Sequence, residues 1–326
     1  MRTKAKINLM LSLLLLLAIA YLSLYWGVIW INPFSGGDET SRLILYKIRL
    51  PRILLAIFVG TGLSVSGVAF QAILRNPLAD PYILGTSSGA ALGGALALIL
   101  GLGGFFYSLP ALAFVCALLS LVLVYQMAQL DGKMPVQTLL LAGVIVNTFL
   151  SGLITLLVTL NHKELYEVIF WIMGSLGQTD MKLILFTGAI TTLSCLAVYF
   201  FSDQLNIITL GEEKAQTLGV NVELTKRLLF IIVSVIIALL VSVCGMIGFV
   251  GLIIPHMARL LVGPDHKVLM PTAAILGAIF VLLCDGLART AAAPLEIPIG
   301  VVTALFGAPF FLYLLRRKKS QIITEV

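Results

Sequence analysis

The sequence predicts an all-α, polytopic membrane protein of about ten transmembrane helices. Three observations carry that reading. Of the 326 residues, 60% are hydrophobic and the mean hydropathy is +1.09. Only 11% are Asp, Glu, Lys or Arg, against about 25% in soluble domains, so a water-soluble fold would lack the polar surface to cover this chain. The apolar residues fall into nine long runs, and the basic residues flank those runs. That distribution sets nucleic acid aside as the reason for the net charge of +6.

The first run, Leu9–Ile31, follows Arg2, Lys4 and Lys6, and Ala18-Ile19-Ala20 mimics a signal-peptidase site. It is nevertheless long enough to cross the roughly 30 Å hydrocarbon layer, and reads as a retained first span. Next come Ile53–Ile73, Tyr82–Gly104, Leu109–Gln129 and Leu139–Leu160. The last four are Leu183–Phe201, Leu228–Val262, Val268–Cys284 and Pro298–Leu315. A backbone in lipid has no water to bond, so each run is expected to be helical. In the third, Gly85, Gly89 and Gly93 form one smooth stripe where a neighbouring helix can approach closely. The seventh run is too long for one crossing, since about 35 residues would make a helix of roughly 52 Å. It holds Gly245, Gly248, Gly251 and Pro255, which break or bend helices.

Charge gives the same answer by parity. Basic residues flank both ends of the chain, the second set being Arg316, Arg317, Lys318 and Lys319. Basic flanks stay in the cytoplasm, which makes the number of spans even. Splitting the seventh run gives ten, with both termini cytoplasmic. Fourteen of the 21 Lys and Arg then lie inside and seven outside. Residues 1–326 read as a single transmembrane domain with a cytoplasmic loop at 202–227. Cys116, Cys195, Cys244 and Cys284 sit singly in apolar runs, as small core side chains do, without disulfide or metal spacing.

Polar residues in such a chain need reasons. Ser202 to Arg227 is the longest polar break, and within it Leu210–Gly219 reads as a short helix. Glu212 and Glu213 complement its N-terminal dipole and Gly219 suits its C-terminal cap. The segment is either a solvated connection or a docking helix for a cytoplasmic partner. On the outer side, Pro51 suits the first turn of the second span, and Arg49 and Arg52, three apart, can face the same way. Arg289 and Glu296 occupy the last outer loop. Such guanidinium groups can receive carboxylates from a docking protein, or meet lipid headgroups, or form a local pair such as Asp285 with Arg289.

Arg75-Asn76-Pro77-Leu78-Ala79-Asp80-Pro81 is a compact inner turn whose prolines end helices. His256 and Arg259 lie in the short eighth span, where ionisable groups must face a cavity or the protein interior. His256 reads as a hydrogen-bonded core histidine, since no second His or Cys is spaced to help it hold haem or a metal. Gly132-Lys133 is followed by Met134, so no phosphate-cradling loop is present. No catalytic triad or carboxylate pair points to an intramembrane enzyme. Few ionisable residues lie deep in the spans, which argues against an ion-coupled secondary transporter. A large transporter without its own energy source implies a partner that supplies it.

Taken together the motifs are recognisable. They begin with Arg49-Leu50-Pro51-Arg52, Ser66-Gly67 followed by Gln71, and the Arg75–Pro81 turn with Leu84-Gly85. Leu140-Leu141-Ala142-Gly143, Trp171-Ile172-Met173-Gly174-Ser175 and Leu210-Gly211-Glu212 with Leu218-Gly219 follow. The last are Gly248-Phe249-Val250-Gly251-Leu252 through Pro255-His256 to Arg259, Glu296-Ile297-Pro298-Ile299-Gly300 and Gly307-Ala308-Pro309. From Arg49 to Leu315 the chain resembles the permease family of binding-protein-dependent ABC importers for ferric siderophores, haem and cobalamin.

The resemblance implies a type II ABC importer permease: ten helices per subunit, a second permease copy or paralogue, and two ATPase subunits below. It implies no catalysis and no cofactor bound by this chain, ATP and magnesium belonging to the ATPases. Leu210, Gly211, Glu212, Glu213, Ala215, Leu218 and Gly219 become the ATPase-coupling segment. Arg49, Arg52 and Arg289 match outer arginines that meet an extracytoplasmic substrate-binding protein. Ser87 and Ser88 match an inner gate, where some relatives have Asn in place of Ser88; Asn147, His256 and Arg259 complete the candidate gate and pathway residues. The expected cargo is an iron–siderophore complex, with haem or cobalamin as alternatives, crossing the lipid of a bacterial cytoplasmic membrane.

Overall fold

Helix is the only regular structure these apolar runs can adopt in lipid, and the chain follows that constraint from end to end. The protein, seen here in a computed structural model, is described for residues 2–27, 39–102, 107–130 and 132–324, with side chains from 7 to 312 within those segments. The expected ends of the first span at Ile31 and of the third at Gly104 lie outside the described residues. So do the side chains of all seven terminal basic residues.

Helix α1 (Arg2–Tyr25) is followed by α2 (Glu39–Leu43), which runs through a π-helical turn at Ile44–Arg49 into α3 (Leu50–Ile73). A 3-10 turn at Pro81–Leu84 leads to α4 (Thr86–Ile99), α5 (Ser108–Ala128), α6 (Val136–Leu160) and the short α7 (Leu165–Ile172). Then come α8 (Met181–Phe200), α9 (Ser202–Ile208), α10 (Glu212–Thr217) and α11 (Val222–Cys244). The chain ends with α12 (Val250–Val262), α13 (His266–Thr290) and α14 (Ile299–Thr324). Seven helices are long and apolar enough to cross a membrane, and Thr86–Ile99, Val250–Val262 and Ile299–Leu312 are shorter apolar helices. Among the described residues that makes ten apolar helices, the number expected.

The overlong seventh run splits as its glycines require. Helix α11 stops at Cys244, Gly245 takes φ +69°, and Phe249 takes φ +66° before α12 begins. A side chain at Gly245 would collide with the carbonyl of Trp171 as well as adopt a left-handed backbone. The third run departs from expectation. Asp80 accepts the Tyr82 N–H at 2.8 Å, Gly85 is left-handed, and the helix proper has only 14 residues. At 1.5 Å per residue it spans roughly 21 Å, less than the hydrocarbon layer. Its glycine stripe does serve packing, with Gly89 and Gly93 lying against Ser120 and Ala113 of α5.

The core sits around α3, which is buried along most of its length against α13, α12, α8 and α11. Gly60 of α3 touches the backbone of Gly277 of α13, an approach that no larger residue permits. Leucines of α1, α6 and α8 remain outward-facing, as a lipid-solvated surface requires.

The first and last helices both pack against α12. Asn8 donates to the Leu261 carbonyl at 3.2 Å, and Phe310 stands 6.4 Å edge-on from His256. Beside them the His266 N–H donates to Asn206 of α9 at 2.9 Å. The end holding α9 and α10 is called basal below, and the end holding Arg52 and Asp285 apical.

Candidate functional site

Three sets of polar or irregular features mark the bundle: an apical ion cluster, a crossing of non-helical segments within it, and a basal charged platform.

At the apical end Arg49 closes the C-terminus of α1, whose last carbonyls have no helical partner. It donates to the Leu24 carbonyl and to that of Tyr25 at 3.0 Å. Arg52 donates to Asp285 at 2.7 Å and to Glu296 at 3.0 Å, and Arg289 reaches the other oxygen of Asp285 at 3.0 Å. The three arginines expected at the outer rim are buried in the single chain: Arg49, Arg52 and Arg289 are only 4%, 6% and 8% exposed. The close α3–α13 packing carries Arg52 and Arg289 inward, and a buried cation must then be paired. The local Asp285–Arg289 pair is present, joined by an Arg52–Asp285 pair that spans 233 positions. Sequence spacing does not announce that partner, although an acidic residue within an apolar run does call for one. Glu296 is the accessible member, its side chain 52% exposed.

Within the bundle, residues 171–175, 244–249 and 298–300 meet. Met246 N–H donates to Ile172 at 3.2 Å, Ser175 to Cys244 at 2.8 Å, Ile299 to Gly174 at 3.1 Å and Gly300 to Met173 at 3.1 Å. Tyr82 adds its hydroxyl to the Ile247 carbonyl at 3.1 Å. Non-helical backbone at membrane depth persists only when it is paired in this way or lines a cavity. Here it does both. A cavity of about 450 Å³ opens beside the crossing, lined by Ile172, Met173, Met246, Val301, Ala304 and Leu305 with Gly248 and Gly300. Among the described residues its walls carry no hydroxyl, carboxylate, imidazole or thiol.

The candidate gate residues form two groups. Ser88 donates to Asn147 Oδ1 at 2.7 Å, while Asn147 Nδ2 donates to the carbonyls of Tyr82 at 3.3 Å and Ile83 at 3.0 Å. Ser87 bonds the Tyr82 carbonyl at 3.4 Å, so these three residues gather on the 3-10 turn. His256 and Arg259 stand apart on α12. Arg259 donates to Gln71 at 3.2 Å, and Gln71 in turn donates to the Leu252 carbonyl at 3.2 Å. His256 is half-buried and meets the ring of Phe310 edge-on.

At the basal end α10 realises the helix expected over 210–219, with Gly219 left-handed at φ +84° beyond it. Ala215 anchors it against Ile208 and Val222, whereas Leu210 and Leu218 are 61% and 62% exposed. Glu213 and Lys214 are exposed as well, and a side chain at Gly211 would meet the Arg75 guanidinium. Glu212 points the other way, to Lys226 of α11 at 2.7 Å. A cleft of about 610 Å³ separates α10 from the turn at 133–137. Nearby, Asp265 caps α13, and the Asn206 amide is the main influence holding its carboxyl below the usual carboxylate range. Sequence reasoning missed α7 and the crossing, because their partners lie far along the chain.

Comparison with known proteins adds the following. The family model described as the FecCD transport family matches residues 8–317. The chain is 43% identical over 288 residues to the cobalamin import system permease protein of Halobacterium salinarum, covering 88% of this chain and 77% of that one. It is 37% identical over 310 residues to the hemin transport system permease protein of Yersinia pestis, covering 92% and 90%. Among solved structures it matches a metal-chelate type ABC transporter in an inward-facing conformation, with a TM-score of 0.85, 35% identity and coverage of 96% and 99%.

Proposed function

The chain belongs to the FecCD transport family and is an ABC importer permease, and from that premise we propose that its cargo is an intact metal chelate, a ferric siderophore. The observation that carries this reading is the chemistry of the crossing cavity. A bare iron ion needs oxygen or nitrogen donors, and the cavity walls are alkyl groups, thioethers and glycine backbone. Such a lining suits a cargo that brings its own coordination shell. It holds no histidine to ligate a haem iron. Cobalamin is the second reading, favoured by the 43% identity to an archaeal cobalamin permease.

The cavity is open on one side, and Leu305, Phe306 and Met173 beside it are 68%, 52% and 42% exposed. A second copy of this permease, or a related one, closes the path there. The basal end, and both termini with it, faces the cytoplasm of a bacterium. Two ATPase subunits, which hold ATP and magnesium, grip α10 through Leu210 and Leu218, since exposed leucines at an aqueous end need a partner. At the apical end Arg49, Arg52 and Arg289 gather beneath the exposed Glu296. An acidic substrate-binding protein docks over these arginines. Docking delivers the chelate, ATP binding moves α10, and the crossing opens alternately to either side. The chain performs no covalent chemistry.

The test is uptake into proteoliposomes holding the permease, its ATPases and a binding protein. Ferric siderophore is expected to accumulate with ATP, and haem, cobalamin and unchelated ferric iron to be excluded. Accumulation of unchelated iron would overturn the cavity argument. Uptake without ATP would favour an ion-driven mechanism instead.

A further inference from the structure

Lys226 is the most deeply placed cation at the basal end, its side chain 3% exposed. It lies one turn into α11 between carboxylates from two different helices. Glu212, the first residue of α10, is 2.7 Å away, and Glu223, one turn back on α11, is 3.4 Å away. The second oxygen of Glu223 accepts the backbone N–H of Met134 at 2.9 Å, in the turn between α5 and α6. One buried ammonium therefore joins α10, α11 and, through Glu223, the α5–α6 turn.

Burying an ammonium is unfavourable unless it is paired, and charge-assisted bonds to it are short and directional. A pair exposed on the surface would be screened and loose; this one is held within the protein. The rest of the α10 attachment is slight, centred on Ala215 against Ile208 and Val222. Helix α11, in contrast, runs from Val222 to Cys244 without glycine or proline. It is a rod of roughly 33 Å. Its far end enters the crossing, where Cys244 accepts the Ser175 N–H at 2.8 Å and Gly245 abuts the Trp171 carbonyl.

We propose that Lys226 is a positioning residue that converts displacement of α10 into displacement of α11, and so of the crossing. This rests on the reading of α10 as the ATPase dock. Without the tie, α10 swings on Ala215 while α11 stays in place, and ATP is hydrolysed without matching transport.

The experiment uses the complete transporter in proteoliposomes and reads chelate moved per ATP hydrolysed. Lys226→Met is expected to lower that ratio at least tenfold, and Lys226→Arg to restore most of it. Glu212→Gln, which leaves Lys226 paired with Glu223, is expected to lower the ratio too, and serves if Lys226→Met does not assemble. An unchanged ratio in either variant overturns the tie. Leu210→Asp with Leu218→Asp separates the two ideas, because it is expected to abolish co-purification of the ATPases. If the ATPases remain bound in that variant, the dock itself is refuted, and the tie with it. If they are lost while Lys226→Met couples normally, only the tie fails.

Discussion

Replacing Asp285 by alanine removes the carboxylate that two arginines share. Arg52 and Arg289 have side chains only 7% and 9% exposed, and Asp285 itself is 2% exposed. Arg52 keeps Glu296 at 3.0 Å, but Arg289 loses the carboxylate that pairs with it at 3.0 Å. Removing one partner of a buried pair costs about 3–5 kcal/mol, because the other charge is left desolvated. That amounts to a roughly hundred- to several-thousand-fold fall in the folded-to-unfolded ratio. Asp285→Ala combined with Arg289→Met removes the stranded charge and is expected to recover part of the loss, so the two changes should be non-additive. The assay is unfolding of the purified permease by SDS in mixed micelles, followed by tryptophan fluorescence. A midpoint for Asp285→Ala equal to that of the unaltered protein, or strict additivity in the cycle, would refute the view of a tightly coupled buried cluster.

Gly277→Ala drives a methyl into the backbone of Gly60, and should destabilise the α3–α13 contact by about 1–3 kcal/mol or more, read in the same SDS titration. Asn147→Leu strips partners from Ser88, Tyr82 and Ile83; a loss of about 1–3 kcal/mol and faster hydrogen exchange at residues 81–88 are expected, with unchanged exchange as the contrary result. The Asp265 cap is pH-dependent with a definite sign. Its folded carboxyl lies below its unfolded value, so the stabilisation is complete above the usual carboxylate range, near pH 4, and fades as the pH falls through the lowered value. Exchange at the start of α13 should rise over that acid range in the unaltered protein and stay flat in Asp265→Asn.

Much of the architecture was legible because lipid leaves a chain few choices. The run 228–262 was too long for one crossing, and its glycines marked the break that Gly245 and Phe249 make. Glu212, Glu213 and Gly219 marked α10 by local helix chemistry. Other features depend on partners distant in sequence. Nothing near Arg52 points to Asp285, 233 residues away, so only the local Asp285–Arg289 half of that cluster was legible. The crossing hid for the same reason: residues 171–175 find their hydrogen bonds at 244–246 and 299–300. The third span read as a full crossing because hydropathy does not register the Asp80 cap or the left-handed turn at Gly85. His256 falls in the short eighth span as expected, while its approach to Phe310 was not legible in the sequence.

If the cavity at the crossing is the path, it meets a passing chelate with alkyl and thioether side chains and glycine backbone. A wall that forms no coordinate bond is blind to the element at the centre of a complex and responds only to its outer shape. A gallium(III) siderophore, matched to the ferric one in charge and size but inert to reduction, should travel as fast. Discrimination between cargoes then belongs to the protein that delivers them, and exchanging that protein would re-address the same channel to a different chelate.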